Sequence, residues 1–265
     1  MARQVSIIKI KGKIGDLSFY KSAGKHLVRE KTGIEKERLL HDPAFKRTRE
    51  NMSEFGGSAV VGKALRMGLA NVLHLFSDRY IVARITKIMR SVNKKGTGTR
   101  GKRAFEIKDN SFELEGFDFD KKTSFDRIFH APFTLEVNAD RNGVTLTVPV
   151  FNTDNYLEIP EGATHFRLFC AISVLSNYVF DDESLKYEPL NPEINMASCV
   201  EASSETELGG DIPSEIVVNC DLPDTPTLDD TSGLIACVGI EFLQEINGAF
   251  YSLESDNAMK IARVF

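Results

Sequence analysis

HFRLFCAISVL, residues 165–175, and GLIACVGIEFL, residues 233–243, are runs rich in β-branched and aromatic residues, each bounded by polar loops. Both read as strands. Working outward, FTLEV (133–137), GVTLTVPV (143–150), SEIVVNC (214–220), AFYSLES (249–255) and AMKIARVF (258–265) repeat the pattern between loops of proline, aspartate and serine. Strands of this length and spacing predict an antiparallel β-sandwich, immunoglobulin- or fibronectin-like, of seven or more strands over residues 104–265. FTLEV and GVTLTVPV flank Ala139 to Asn142 as a hairpin, and Asn247-Gly248 marks a second tight turn. Phe112, Leu114, Phe117 and Phe119 alternate with acids or glycine and read as one more strand.

Upstream the pattern changes. Residues 5–30 alternate as short strands around Ile8, Ile10, Ile14, Leu17, Phe19, Leu27 and Val28, punctuated by Gly12, Gly15 and Gly24. Strands of only ~5 residues are marginal unless they pack on something larger. Lysines 9, 11, 13 and 21 either blunt an exposed edge or stud an arm that adds a strand to a neighbour's sheet. At Asp42 an N-cap precedes Pro43 at the first helical position, so a charged helix is expected through Phe55, broken by Gly56-Gly57. A second helix from Ser58 carries Val61, Ala64, Leu65, Gly68, Leu69, Val72 and Phe76 as an apolar stripe. The third follows Ser77-Asp78, with Ile81, Ile85, Ile88 and Val92 on one side. KKGTGTRGKR (94–103) has no apolar content and reads as a linker. The expected class is therefore α+β: a strand-and-helix module through residue 93, a basic linker 94–103, and the β-sandwich.

The net charge of -5 conceals opposite poles. Residues 1–103 hold 24 Lys+Arg against 8 Asp+Glu, net +16; residues 104–265 hold 9 against 30, net -21. Such asymmetry favours oppositely charged partners, whether nucleic acid, a membrane surface or the other end of a sister subunit. Four scattered cysteines without a C-x-x-C pair argue for buried thiols rather than disulfides or zinc. The carboxylates of the 225–233 loop lack calcium-loop spacing, and no glycine-rich phosphate loop occurs. The five histidines pair with no nucleophile motif, so no catalytic residue, metal site or cofactor is expected. The amino terminus has charges too closely spaced for a signal peptide, and no apolar run is long enough for a membrane span.

GKIGDLSFYKSAGKHLVREK and DPAFKRTRENMSEFG resemble the amino-terminal signature of a group of uncharacterised proteins from Bacteroidota-type bacteria, over residues 9 to about 70. The resemblance carries no activity. It implies a bacterial or bacterial-virus origin, with a recurring docking module followed by a variable β domain, as would suit a shell, fibre or tube subunit.

Together these readings lead to the expectation of a non-enzymatic structural subunit that assembles head to tail with copies of itself. Its interface would comprise Ile8, Ile10, Leu17, Phe19 and Tyr20 on the arm, with Arg47, Arg49, Glu50, Glu54 and Arg66 on the helices. The rival is nucleic-acid binding, because three helices with a basic third one sketch a helix-turn-helix. Phosphates would then meet Arg79, Arg84, Lys87, Arg90, Lys94, Lys95, Arg100, Lys102 and Arg103.

Overall fold

The computed structural model describes residues 2–30, 34–222, 224–253 and 256–265. The end of the AFYSLES run, residues 254 and 255, lies outside them. The chain has both helices and antiparallel sheets, an α+β protein, and divides into two compact units, Met1–Arg49 and Glu50–Phe265.

The first unit is a four-stranded antiparallel sheet followed by a short helix. Strands β1 (Ala2–Arg3), β2 (Gly12–Ile14), β3 (Leu17–Ser22) and β4 (Lys25–Glu30) lie in the order β1-β4-β3-β2. Gly15 and Gly24 take positive φ, which the tight turns between these strands need. Helix α1 spans Lys36–His41. Asp42 then caps a 3-10 turn over Pro43–Phe45 by accepting from the Ala44 N–H at 2.9 Å, as the Asp-Pro pair predicts. Among the described residues of this unit none is buried.

The second unit is organised around β7 (His165–Ser176) and β13 (Ser232–Ile246), paired antiparallel with Ile172 opposite Ala236. Successive strand residues point to opposite faces, so unbroken burial from Leu168 to Ser176 and from Ser232 to Leu243 means that both faces are covered there. One face carries Leu168, Cys170, Ile172, Leu234, Ala236 and Val238. It packs on a three-stranded sheet of β5 (Thr134–Val137), β6 (Gly143–Val148) and β12 (Ile216–Asp221), ordered β12-β6-β5. A short helix α5 (Phe125–Ile128) joins that core, and another, α6 (Thr153–Tyr156), follows β6. β8 (Tyr178–Asp181) and β9 (Lys186–Pro189) form a separate hairpin. β10 (Ser198–Ala202) and β11 (Thr206–Glu207) pair with β7, and β14 (Ala249–Ser252) and β15 (Ala258–Val264) pair with β13. The hairpins expected around residues 139–142 and at Asn247-Gly248 are both present.

The other face of the large sheet, with Phe169, Ala171, Ile235 and Cys237, is covered by helices. These are α2 (Lys46–Gly68), α3 (Ala70–Phe76) and α4 (Ile81–Lys95), which bury Val61, Leu65, Leu69, Val72, Phe76, Ile85, Met89 and Val92. The helices therefore pack on the large sheet within the same unit, where the sequence reading placed them in a separate module. Each had an apolar surface that only the other could cover.

Four local expectations are corrected. The single helix expected from Ser58 through Phe76 is in two pieces, the second half of α2 and α3, bent by 90° at Leu69. Gly56-Gly57 does not end a helix; α2 runs continuously from Lys46 to Gly68. A β-carbon on Gly57 would come 2.4 Å from the Tyr187 ring, and one on Gly68 would come 1.9 Å from Ser173 Oγ. These glycines admit close approach rather than a break. Residues 112–119 form no strand: a 3-10 turn covers Ser111–Glu113, and Gly116 at φ 79° ends any extension. Single backbone bonds still tie the segment to β15, from Gly116 N–H to Ile261 O and from Phe119 N–H to Met259 O. Residues 94–103, read as a linker, lie inside the second unit. Ala104 N–H donates to Thr97 O at 2.8 Å, Asn93 Nδ2 to Arg103 O at 2.6 Å, and Ser53 Oγ to Gly101 O at 2.7 Å.

Candidate functional site

The most exposed aliphatic cluster of the chain is a closed loop at its start. Gln4 extends the pairing of β1, donating its N–H to His26 O at 2.9 Å, while its side-chain amide turns toward Ile10. Gln4 Oε1 accepts the Ile10 N–H at 2.8 Å, and Nε2 donates to Ile10 O and to Leu27 O, each at 3.1 Å. Within the loop Lys9 Nζ donates to Gln4 O and Ser6 O, and Ser6 Oγ donates to Ile8 O at 2.6 Å. With these polar groups turned inward, Val5, Ile7 and Ile8 are left 87%, 102% and 76% exposed. Three large aliphatics at one tip are uncommon on a monomer surface, where apolar residues are usually scattered.

Of the expected interface residues, Ile8 lies in this finger, Ile10 closes it, and Leu17 lies exposed on β3. Phe19 and Tyr20 are half-buried in the same strand, opposite Val28 and Leu27, and Arg29 stacks 5.6 Å from the Tyr20 ring. The helical residues do not form one cationic face. Arg47 is exposed on the first turn of α2, whereas Arg49 donates to Leu39 O and Asp42 O, both at 2.9 Å, satisfying carbonyls at the end of α1. Glu50 faces Arg100 at 3.6 Å, and Arg66 is half-buried.

Glu54 is 3% exposed and sealed into an internal pair, which removes it from any interface. Arg103 Nε donates to Glu54 Oε1 at 2.8 Å and Nη2 to Oε2 at 2.7 Å; the Gly101 N–H adds a third bond to Oε1 at 2.7 Å. Burial alone would raise the Glu54 pKa. The Arg103 guanidinium and the Gly101 N–H outweigh it, holding the carboxyl below the usual range.

The expected phosphate contacts are largely committed elsewhere. Arg84 donates to Phe119 O at 3.0 Å and to Asp118 O, and pairs with Asp78. Lys95 pairs with Glu113, Arg100 with Glu50, Lys102 with Asp182 and Arg103 with Glu54. Arg79 stacks on Tyr80 at 4.7 Å. Lys87 and Lys94 remain exposed and Arg90 half-exposed.

The four cysteines are free thiols; Cys170, Cys220 and Cys237 are buried and Cys199 is half-buried. Burial, reinforced by the neighbouring Cys220 thiol, pushes the Cys199 pKa up to about 12. Among the described residues no three His, Cys, Asp or Glu are placed to hold a metal ion, and no single helix is long and apolar enough to cross a membrane.

Sequence reasoning named Ile8 and Ile10 but missed Val5, Ile7 and Gln4. The signal was present in Val5-Ser6-Ile7-Ile8, four residues without a charge ahead of a lysine series, but its reading as alternating strand concealed a bend. No family model, curated protein or solved structure matches this chain.

Proposed function

We propose that this chain is a non-enzymatic structural subunit that assembles head to tail with copies of itself, its amino-terminal unit acting as the docking element. The observation that supports this reading most is the sheet without a core. Four strands of two to six residues bury no side chain among themselves, yet they and the loop between β1 and β2 present Ile14 and Leu17, and Val5, Ile7 and Ile8, to solvent. Apolar area covered by a partner contributes ~25 cal/mol per Å², and such a sheet gains little of it alone. The unit is also basic, with 13 Lys+Arg against 5 Asp+Glu in residues 1–49, while residues 50–265 hold 20 against 33. Unlike surfaces on one chain make heterologous contacts, which propagate into rings or filaments.

Nucleic-acid binding has weaker support, because three of the five cations in the 94–103 stretch, Arg100, Arg103 and Lys102, pair with Glu50, Glu54 and Asp182 within the same unit. Light scattering and sedimentation velocity of the full chain at low and moderate salt test the assembly reading. Species larger than a monomer, lost in Ile7→Asp, are expected. A monomer in both buffers would sink it.

A further inference from the structure

We propose that the aliphatic finger Val5–Ile8 of one copy seats in the cavity between residues 190–194 and 226–229 of a second copy, an inference that rests on the assembly reading above. The cavity has a volume of about 380 Å³ and is lined by Leu190, Pro192, Ile194 and Pro226 together with Glu193 and Asp229. A space of about 150 Å³ takes a benzene-sized group, so there is room here for two aliphatic side chains. Its apolar residues match the finger, and its carboxylates match the cations around the finger.

The fit has three parts. Leu190 is 45% exposed, an apolar contact with nothing over it. The walls are held in place before any partner arrives: Asn191 Nδ2 donates to Thr231 Oγ1 at 2.6 Å and to Ser232 Oγ at 3.1 Å, and the Asn191 N–H donates to Ser176 Oγ at 3.0 Å. A site already in its bound shape loses less entropy on docking. Charge supplies the third part. Asp229 accepts from the Thr231 hydroxyl at 2.6 Å and the Thr231 N–H at 3.0 Å, which hold its carboxyl below the usual range, so it is ionised at neutral pH. Arg3, Lys11 and Lys13, all exposed, flank the finger.

The competing acceptors fit less well. The outer face of α2 exposes Met52, Phe55, Val60 and Met67, but Lys63 and Arg66 accompany them and would repel a basic unit. The groove lined by residues 203–217 carries Glu205, Glu207, Asp211 and Glu215, but its lining is mostly polar, with Pro213, Ile216 and Val217 interrupted by serines and carboxylates that an aliphatic finger would desolvate.

Because finger and cavity are different surfaces, the contact can be dissected by complementation. Ile7→Asp spoils the finger and leaves the cavity; Leu190→Asp spoils the cavity and leaves the finger. Both positions are exposed, so each variant should keep the parent's circular dichroism and thermal transition. Sedimentation velocity of the full-length proteins should show the parent associating, each variant alone monomeric, and their equimolar mixture forming a one-to-one dimer that grows no further. Glu193→Lys should weaken association at least several-fold at low salt, and less at high salt, where screening already weakens the ion pairs. If Leu190→Asp associates like the parent while Ile7→Asp does not, the cavity is overturned as acceptor and the assembly reading stands. If the parent itself is monomeric at every salt concentration, or instead co-sediments with vesicles containing anionic phospholipid while failing to self-associate, both fall.

Discussion

Replacing Glu54 by alanine tests whether residues 94–103 are an integral part of the second unit. The substitution removes two Arg103 bonds of 2.8 and 2.7 Å and the Gly101 N–H bond of 2.7 Å, in a place where Glu54 is 3% exposed. Breaking a buried pair by deleting one partner costs ~3–5 kcal/mol, because the other charge is left uncompensated. The Arg103 side chain is 22% exposed, so water recovers part of that loss and the lower end, about 3 kcal/mol, is expected. For a unit of this size, with ~2–4 °C per kcal/mol, Tm should fall by roughly 6–12 °C. The pH dependence has a definite sign. A carboxyl whose folded pKa is depressed contributes stability present above its unfolded pKa, near 4.5, and lost as pH falls through the folded value. The gap between parent and Glu54→Ala should therefore be full at pH 7 and narrow progressively below about pH 4.5. Urea unfolding followed by circular dichroism at pH 7, 5 and 3.5 measures it. A gap below about 1 kcal/mol at pH 7, the range of exposed pairs, would refute the buried-pair account and return residues 94–103 to the role of connector.

The two glycine types in α2 should separate cleanly in urea unfolding at neutral pH. Gly56→Ala meets nothing within 4 Å and should stabilise by ~0.5–1 kcal/mol through helix propensity, whereas Gly68→Ala meets Ser173 Oγ at 1.9 Å and should destabilise by ~1–3 kcal/mol through overpacking. Phe76→Ala should cost ~3–5 kcal/mol, since the ring is buried edge-on to Phe169 with centroids 5.4 Å apart. The thiols should react with a disulfide reagent far more slowly in the native protein than in urea at pH 8, Cys199 included, because its thiolate is scarce below a pKa of about 12. A rapid native reaction of one equivalent would contradict that.

The longer strands were legible because each carries its own chemistry, whereas 112–119 was misread and the short strands β8 to β11 went unread. FTLEV and GVTLTVPV pair around the predicted turn, and Asn247 and Gly248 take the positive φ their turn needs. The buried residues of the stripe from Val61 to Phe76 were legible too, but not the 90° bend at Leu69 that divides it between α2 and α3. What the stripe packs against was not. Periodicity reports that a face is apolar and is silent about which surface covers it, so helices and sandwich were assigned to separate bodies. The run HFRLFCAISVL did carry the missing hint. From Leu168 to Leu175 its odd and even positions are both apolar apart from Ser173, as a strand buried on two sides requires, while a two-layer sandwich calls for alternation. At the proposed docking surface, exposure of the arm was readable from short strands between lysines, but its loop depends on Gln4 reaching Ile10, a contact that no propensity encodes.

Charge counting misled in a more specific way. The basic pole of residues 1–103 contains Arg84, Lys95, Arg100, Lys102 and Arg103, each paired with an acid in the second unit, so those cations add little to the field a partner meets. The cations that count are those of the amino-terminal unit, where Lys11, Lys13, Lys21 and Lys25 are exposed beside the aliphatic finger. This moves the centre of any electrostatic docking from the helices, where the sequence placed it, to the amino-terminal sheet. It also explains why that sheet tolerates so much apolar exposure. Lysine on and around a short edge strand discourages indiscriminate pairing with like-charged copies of the same edge. In the assembly we propose, a partner with carboxylates around an apolar cavity would meet no such repulsion, so the same lysines that block edge-to-edge aggregation would select an acidic acceptor.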